Sequence, residues 1–314
     1  MSSSHGSVAI DTDTHSHSFR IAQLSDPHLT SLEGAGWRPL FNKRMLGYLS
    51  WRRHRRFVHS PGVLADVVTD IQARGFDHIT VTGDLTHVGL PAECRAAAAW
   101  LRSLGKADEV TVIPGNHDRY VRADWSETVG CWSEYLAGDD SRIASEPMFP
   151  SLRVRDSVAI IGLDSAVPSA PLFATGRIGE EQRQRIAVLL DQARQRGLFR
   201  LVLIHHSPLP RGHRWRKRLT DAAALLRVLQ RQGAELVVHG HGHKRRIDVV
   251  STSQGDMVVV AAPSASLVGL GRGGYNGYRI SRTGTGWRVE VSEYAHRAGK
   301  VVAQECREFE LSRP

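Results

Sequence analysis

The chain has few cysteines and no long apolar run, and each absence excludes a class of protein. Its 314 residues contain three cysteines, Cys94, Cys131 and Cys306, too few and too scattered for a disulfide framework or a cysteine-rich zinc cluster. The longest apolar stretch, 257–263, has the length of a strand, whereas a membrane-spanning helix needs about 20 residues. No Gly-rich phosphate-binding loop is visible, so ATP-dependent chemistry is not implied.

The N-terminus shows no basic and apolar leader of the kind that directs secretion. Residues 1–18 are rich in Ser, His, Thr and Asp and have little to bury, so we expect a disordered tail there. We expect a cytoplasmic protein, with peripheral binding to the inner face of the membrane left open.

Acidic residues are missing from two segments that account for the basic character of the chain. The net charge is +9, with seven Lys and Arg residues in 37–56 and five in 211–218, and neither segment contains Asp or Glu. Without these cations the rest of the chain is mildly acidic. The positive charge is therefore local, unlike that of a domain that coats DNA.

Short apolar runs alternate with helical patterns from Phe19 onward, which is typical of an α/β fold. The strands predicted are Ile21–Leu24, Ile79–Thr82, Val110–Ile113, Val158–Gly162, Leu201–Ile204, Leu236–Val238 and Met257–Ala261. Helices are predicted from Ser60-Pro61 onward and over 91–104, 179–197 and 220–232. After residue 244 only strand-like stretches and Gly-rich turns follow. We expect one domain over 19–300 and a terminal strand or tail over 301–314.

Polar residues follow five of the predicted strands, at the position where open α/β sheets bind their ligands. The five clusters are Asp26 with His28, Asp84 with His87, Asn116-His117-Asp118, His205-His206, and His241 with His243. A Gly directly precedes the candidate ligand in three clusters and lets the backbone turn sharply. In an extended chain, residues i and i+2 point the same way, so the Asp26/His28 and His241/His243 pairs would each point together.

The residue types in these clusters favour a metal site. Any one cluster could be a turn or a packed histidine, but five in succession are not explained in that way. Carboxylate, imidazole and amide oxygen suit divalent first-row metals. Seven or eight such ligands exceed the need of one ion and suit two ions about 3.5–4 Å apart that share a carboxylate.

The ordered set D-x-H, G-D, G-N-H-D, H and G-H-x-H resembles the calcineurin-like metallophosphoesterases over roughly residues 19–300. The resemblance implies an α/β fold in which a two-layer β-sandwich is flanked by α-helices. It implies two divalent ions (Mn, Fe, Zn or Co) at the strand ends. It assigns one metal to Asp26, His28 and His243, the other to Asn116, His205 and His241, and the bridging role to Asp84.

The same resemblance assigns roles around the metals. His117 would face the substrate phosphate and the leaving oxygen, with Asp118 orienting its ring and with Asn116 also touching substrate. His205 is favoured as the ligand of the His-His pair, although the pair leaves the choice open. His206 would then either support the ligands from behind or face the substrate. His87 would be peripheral, and His239 would pack at its strand end.

The chemistry implied is hydrolysis of a phosphoester or phosphodiester. Two divalent ions lower the pKa of a shared water, so that hydroxide forms at neutral pH, and they neutralise charge in the transition state. His117 would act as general acid or charge stabiliser at the leaving oxygen.

The segment 37–56 bears on the substrate. Its apolar residues fall at helical spacing: Trp37, Leu40, Phe41, Met45, Tyr48 and Leu49. A basic amphipathic helix could bind an anionic membrane or cover a lipidic substrate; alternatively its apolar face packs on the core as a lid. Gly47 argues against a rigid helix. The 211–218 segment is a second wall of a basic cleft or a solvated loop.

Several substrates and one non-catalytic function stay open. Phe41-Asn42-Lys43-Arg44 and Gly47-Tyr48-Leu49 resemble a segment of bacterial metallophosphoesterases, some of which cleave UDP-2,3-diacylglucosamine in lipid A synthesis. Cyclic-nucleotide and glycerophosphodiester hydrolases share the same motifs. A nuclease could stack bases on Trp37, Trp51 or Trp215. A basic membrane- or nucleic-acid-binding protein on the same scaffold is the alternative, and the complete ligand set favours an enzyme.

Overall fold

The computed structural model describes residues 18–29, 32, 40–140, 149–210 and 215–312. The predicted N-terminal tail, except its last residue, lies outside the described residues. So do 37–39 and 211–214, which belong to the two basic segments.

Two six-stranded sheets form the centre of the described part of the chain. The strands are β1 (Ser18–Leu24), β2 (His78–Val81), β3 (Val110–Val112), β4 (Ser151–Arg155), β5 (Val158–Gly162), β6 (Phe199–Ile204), β7 (Leu236–His239), β8 (Arg246–Thr252), β9 (Gly255–Ala261), β10 (Gly274–Arg282), β11 (Gly286–Arg297) and β12 (Lys300–Ser312). The first sheet has the order β12-β11-β10-β1-β2-β3 and the second β4-β5-β6-β7-β9-β8. β1, β2 and β3 are parallel neighbours, as are β5, β6, β7 and β9.

The second sheet is buried on both faces, which explains the continuous apolar run of its central strand. Leu201 and Leu203 of β6 belong to the main core between the two sheets. Val202 and Ile204 point the other way and pack with the helices that cover the outer face. Parallel strands covered on both sides are expected to read as such runs. The predicted fold class, two sheets flanked by helices, is confirmed.

Seven α-helices connect the strands in the described ranges. They are α1 (Arg44–Ser50), α2 (Arg56–Val58), α3 (Pro61–Arg74), α4 (Pro91–Leu104), α5 (Ser133–Leu136), α6 (Gly179–Gln195) and α7 (Ala222–Gln232). The predicted start of α3 is confirmed: the Ser60 hydroxyl accepts a hydrogen bond from the backbone N–H of Val63. None of the described helices is both long and apolar enough to cross a bilayer.

The basic segment forms a bent helix: α1, a π-helical turn over Trp51–Arg55, and α2. Leu40 and Trp51 are 2% and 3% exposed and pack with Val88 and Leu90 in a small separate core. This supports the lid interpretation for those residues. Phe41 departs from the predicted apolar face, since it is 79% exposed.

Gly47 was expected to argue against a rigid helix, but the structure shows that it allows the helix to pack closely. It is buried inside α1, and a Cβ there would lie 2.6 Å from Val88 Cγ1 and 2.9 Å from the Tyr120 hydroxyl. The missing side chain therefore lets α1 pack tightly against the loop between β2 and α4.

Candidate metal centre

The predicted ligands all follow the carboxyl ends of parallel strands, where the two sheets meet. Asp26 and His28 follow β1, Asp84 follows β2 and Asn116 follows β3, all in the first sheet; His205 follows β6, and His241 and His243 follow β7, in the second. Each sheet thus contributes part of the site.

The ligand atoms fall into two groups that Asp84 connects. Asp26, His28 and His243 bring one atom each within 4.8 Å of one another, and Asp84, His205 and His241 do the same. Asp84 also lies within that distance of His28. A carboxylate shared between two groups is the arrangement expected for two neighbouring ions.

The distances between donor atoms suit metal binding. His243 Nε2 lies 3.0 Å from Asp26 Oδ1. His205 Nε2 lies 3.2 Å from Asn116 Oδ1 and 3.4 Å from Asp84 Oδ2. Two ligands about 2.1 Å from one octahedral ion, at right angles, are about 3.0 Å apart. The residues present therefore fit divalent cations.

Each of three ligand histidines has one ring nitrogen held by a backbone carbonyl. The Nδ1 atoms of His28 and His205 lie 2.9 and 2.7 Å from carbonyl oxygens, to which they donate. His241 donates from Nε2 to the carbonyl of Lys217, at 3.0 Å. Such a bond fixes the tautomer and the orientation of the ring, so that the other nitrogen is the one that would bind a metal.

The backbone at the ligands is left-handed, which contradicts the extended geometry expected for the two residue pairs. The φ angles are 50° at Asp26, 44° at His28, 60° at Asp84, 66° at His241 and 52° at His243. A non-glycine residue in this region costs of order 1–3 kcal/mol, and such residues cluster at functional sites. His241 and His243 accordingly reach different groups rather than pointing together.

Two of the three glycines in the motifs provide space rather than a turn. Gly83 has φ 89°, as the turn explanation requires. A Cβ at Gly115, however, would lie 2.2 Å from Asp84 Oδ1, and one at Gly240 would lie 2.7 Å from Asp26 Oδ2. These two glycines therefore allow the carboxylates to approach the backbone.

Burial and neighbouring charges set the protonation of the ligands. Burial, followed by the His59 and His117 rings, lowers the pKa of His28 well below its usual value, which keeps the imidazole neutral. Burial opposes charge on His205 as well, but the Asp84 carboxylate outweighs it and raises the pKa of His205 to about 9. A cation at His205 would displace that proton.

The predicted contact between Asp118 and the His117 ring is wrong. His117 Nδ1 instead donates to the carbonyl of His87, at 2.6 Å. The Asp118 carboxylate folds back and accepts from the backbone N–H groups of Asp84 and Gly115, both at 2.8 Å. Burial and the Asp84 carboxylate raise the pKa of Asp118 to about 7. Asp118 thus fixes the loops that carry Asp84 and His117.

Arg55 is a site residue that the sequence analysis missed. Its Nη1 lies 3.0 Å from both ring nitrogens of His117. Because His117 Nδ1 donates to a carbonyl, Nε2 is the nitrogen that accepts from Arg55. Burial and then Arg55 lower the pKa of His117 well below its usual value. His117 is therefore neutral here and has no proton on Nε2 to give to a leaving group.

The His-His pair is distinguished by its surroundings. Both rings are fully buried, but His205 belongs to a ligand group and His206 belongs to none of those found among the described residues. His206 Nδ1 lies 2.8 Å from Ser165 Oγ, and Nε2 lies 3.2 Å from the carbonyl of Ala174. These contacts fit a role for His206 in supporting the ligands, and its contact with substrate stays a prediction.

Two further histidines surround His28. The His87 ring stacks on it with centroids 5.1 Å apart, so His87 is not peripheral as expected. His59, which the sequence analysis missed, lies edge-on at 4.4 Å. The only sequence signal for His59 was its place at the end of the basic run. His239 is buried at the end of β7, as predicted.

The loop that holds His117 is itself fixed by two helices. Glu93 of α4 accepts from the backbone N–H of His87 at 2.7 Å and of Leu90 at 3.0 Å. Arg44 of α1 donates to the carbonyls of Val88 and Gly89 at 3.0 and 2.6 Å. The basic helix thus stabilises the loop whose His87 carbonyl orients the His117 ring.

A cavity of about 750 Å³ opens above the ligand groups. Asp84, Asn116 and His117 are among its lining residues, and Asp84 is the only acidic one among those that the structure describes. Its cationic lining residues are Arg55, Lys217, Lys244, Arg245 and Arg272. The cavity is therefore suited to an anion.

Solved structures of similar fold include three phosphate-related enzymes. A dimetal phosphatase of Danio rerio is 12% identical, with a TM-score of 0.57, over 91% of this chain and 98% of that chain. A purple acid phosphatase from yellow lupin is 12% identical, with a TM-score of 0.51, over 93% of this chain and 54% of that chain. An NAD nucleotidase of Haemophilus influenzae is 12% identical, with a TM-score of 0.50, over 95% of this chain and 51% of that chain.

These likenesses show the fold. A search of curated proteins found no match. The family model described as calcineurin-like phosphoesterase matches residues 19–245, which is more than half of the chain. The chain therefore belongs to the calcineurin-like phosphoesterase family, whose members are hydrolases of phosphoester bonds.

Proposed function

We propose that this protein hydrolyses a small phosphoester or phosphodiester that carries more than one negative charge. The observation that supports this is a pair of ligand groups joined by Asp84 beneath a cavity with five cationic lining residues. A phosphomonoester dianion or a pyrophosphate matches that lining better than a singly charged diester does.

Asp26, His28 and His243 would hold one divalent ion, Asn116, His205 and His241 the other, and Asp84 both. When bound, such ions (Mn, Fe, Zn or Co) act as Lewis acids that acidify water and neutralise phosphoryl oxygens.

Arg55 and His117 would act on the substrate side. Arg55 is a permanent cation that can donate two parallel hydrogen bonds to phosphoryl oxygens. An anionic substrate that pairs with Arg55 also removes the charge that disfavours protonation of His117. His117 would then gain a proton on Nε2 and donate it to the leaving oxygen, the acid role predicted from the sequence.

A second candidate substrate is an acylated pyrophosphate such as UDP-2,3-diacylglucosamine. Exposed apolar side chains beside the cavity favour it: Phe57 is 62% and Leu270 78% exposed. Cyclic nucleotides and glycerophosphodiesters fit the motifs but have no use for this apolar surface. The non-catalytic alternative, a membrane- or nucleic-acid-binding protein, does not explain the two ligand groups.

The test is a substrate screen of metal-reconstituted protein against nitrophenyl esters, nucleotides, glycerophosphodiesters and lipid-linked pyrophosphates. We expect hydrolysis with Mn²⁺ that chelator abolishes. Asp84→Asn should be the most damaging ligand change, because it weakens both ions. Full activity and two bound metals in Asp84→Asn would contradict the assignment, and Asp77→Asn is an acidic control outside the cavity lining.

A further inference from the structure

Exposed apolar side chains are concentrated beside the cavity. In the described part of the chain, large apolar side chains at least 44% exposed are Phe41, Leu46, Phe57, Leu172, Val188, Trp215, Val249 and Leu270. Phe57 and Leu270 directly precede the lining residues Val58 and Gly271. Leu172 and Trp215 stand two residues before the lining residues Ala174 and Lys217.

The segments that carry these side chains contact one another. Lys43 Nζ donates to Ser169 Oγ at 3.0 Å, which links the basic helix to the loop of Leu172. The rings of Phe173 and Trp215 lie 5.0 Å apart. The Val268 N–H donates to the carbonyl of Val58 at 2.8 Å, which links the helix end to the loop of Leu270. The segments that carry Phe57, Leu172, Trp215 and Leu270 therefore form one connected surface beside the cavity.

We call this surface the cavity rim, and it contains no acidic residue. Its segments are 40–58, 170–176, 215–219, 240–247 and 267–274, none of which includes Asp or Glu. Its exposed cations include Arg52, Arg53, Arg56, Arg216, Lys244 and Arg272. The rim segments therefore combine exposed cations with exposed apolar side chains and contain no acidic residue.

We infer that the cavity rim docks on an anionic lipid bilayer, with the cavity facing the membrane surface. Exposed aromatic and aliphatic side chains enter the acyl boundary while neighbouring cations bind headgroups. A nucleic acid would engage the cations and Trp215, but aliphatic Leu172 and Leu270 would gain nothing from it. The surface extends beyond the basic helix, since three further chain segments, those of Leu172, Trp215 and Leu270, also supply exposed apolar side chains. Docking needs no metal, so it is independent of the proposed hydrolysis.

The experiment is co-sedimentation of the full chain, in chelator, with phosphatidylglycerol-containing vesicles and with pure phosphatidylcholine vesicles. We expect binding to the anionic vesicles only, weakened by salt. Phe57→Ser/Trp215→Ser/Leu270→Ser should weaken binding by roughly tenfold for each side chain that inserts. The control is Val188→Ser, which removes an exposed apolar residue of α6 away from the rim segments and should bind normally.

A second variant tests the charges. Arg52→Gln/Arg53→Gln/Arg56→Gln should lower the affinity on the order of a hundredfold, since each cation near an anionic bilayer contributes about fivefold. Arg102→Gln/Arg227→Gln/Arg231→Gln neutralises exposed cations of α4 and α7 and should bind like the wild type. Leu270→Ser alone, at a side chain 78% exposed, keeps the test valid if a triple variant is unstable.

Three outcomes overturn the inference: no binding to anionic vesicles, equal losses in rim and control variants, or salt-sensitive binding to a single-stranded oligonucleotide without vesicle binding. Hydrolysis of a soluble ester without vesicles should be unchanged in the rim variants. Vesicle binding without hydrolysis would reject only the proposed function. Hydrolysis without vesicle binding would reject only the docking surface.

Discussion

At the scale of single residues, Arg55 places a permanent positive charge beside His117. We expect Arg55→Gln to lower kcat/KM by about 10–100-fold, the effect of losing a hydrogen bond to a charged group worth about 1.5–3 kcal/mol. The metal content should not change, because Arg55 binds neither ligand group. Steady-state kinetics on mono- and dianionic esters, with metal analysis, measures both. Arg53→Gln, at the exposed neighbour, is the control, and equal rates in the two variants would exclude a substrate role.

His78 predicts how stability depends on pH. Burial, with Arg153 and Arg155 nearby, lowers the pKa of this histidine to about 3, and its Nε2 lies 2.8 Å from Thr111 Oγ1. Only the unfolded chain therefore takes up the proton between pH 6.5 and 3. The free energy of unfolding is therefore unaffected by His78 above about pH 6.5. Below that pH, proton uptake by the unfolded chain lowers the free energy of unfolding by about 1.4 kcal/mol per pH unit.

In His78→Leu, unfolding should take up about one proton fewer, so the free energy of unfolding should depend less steeply on pH. Urea unfolding of both proteins from pH 4 to 7 measures the free energies, and parallel curves would show that His78 does not carry the effect. Thr111→Val removes the partner hydroxyl but keeps the titration, so it should retain the wild-type slope.

The identities of the metal ligands could be predicted from the sequence, but their surroundings could not. Asp26 and His241 stand in recognisable motifs after apolar runs, and the topology then brings them together. The direction of a side chain depends on backbone angles that residue types do not reveal. Asp118 therefore binds backbone N–H groups instead of the His117 ring, and Arg55 reaches His117 from a helix 62 residues away in the chain.

At the scale of elements, the basic helix is held against the core at Gly47. Gly47→Ala would bring a Cβ within 2.6 Å of Val88 Cγ1, so α1 must shift outward and carry Arg55 with it. We expect kcat/KM to fall about tenfold or more, since displacements near 1 Å can cost about 10²-fold. Val88→Ala in the same chain removes the nearest clash, leaves the contact with the Tyr120 hydroxyl at 2.9 Å, and should restore part of the rate. If the rate is not restored, the position of α1 does not control catalysis.

The second sheet contains a buried ion pair that joins β6 to the start of β7. Arg200 and Glu235 are 1% and 4% exposed at their side chains and 2.6 Å apart, and Arg200 also donates to the carbonyl of Gln232. Glu235→Ala should lower the free energy of unfolding by about 3–5 kcal/mol, because it leaves a buried charge without its partner. Arg200→Met/Glu235→Leu should recover most of that loss in urea unfolding. An equally unstable double variant would attribute the effect to packing.

In the second sheet, the central strands could be predicted from the sequence and the two edge strands could not, for a physical reason. Val158–Gly162 is buried throughout and coincides with β5, so its apolar run is unambiguous. β4 and β8 stand at the two ends of the second sheet. β8 mixes polar residues with exposed apolar residues such as Val249. A half-exposed edge strand of this kind has only a weak hydrophobic pattern in its sequence.

At the scale of the whole molecule, bound metals would join the two sheets. Asp26 and His28 come from the first sheet and His243 from the second, so each ion fixes their relative position. With metal at about 100 times its dissociation constant, each site adds about 2.7 kcal/mol to folding. Chelator should therefore lower the Tm by on the order of 5–10 °C. Scanning calorimetry with and without chelator measures this, and Asp26→Asn should show a smaller shift. An unchanged Tm would contradict binding across the sheets.

The position of β1 in the first sheet has a consequence for synthesis on the ribosome. β1 lies between β2 and β10, and Ser18 pairs with Ser281. One edge of β1 therefore stays without its partner strand until β10 has been synthesised. Ribosomes add roughly 5–20 residues per second, which leaves that edge of β1 unpaired for some tens of seconds. A nascent chain stalled before β10 exposes an apolar strand edge and is a substrate for chaperones. Translation speed between β2 and β10 should therefore govern the yield of folded protein.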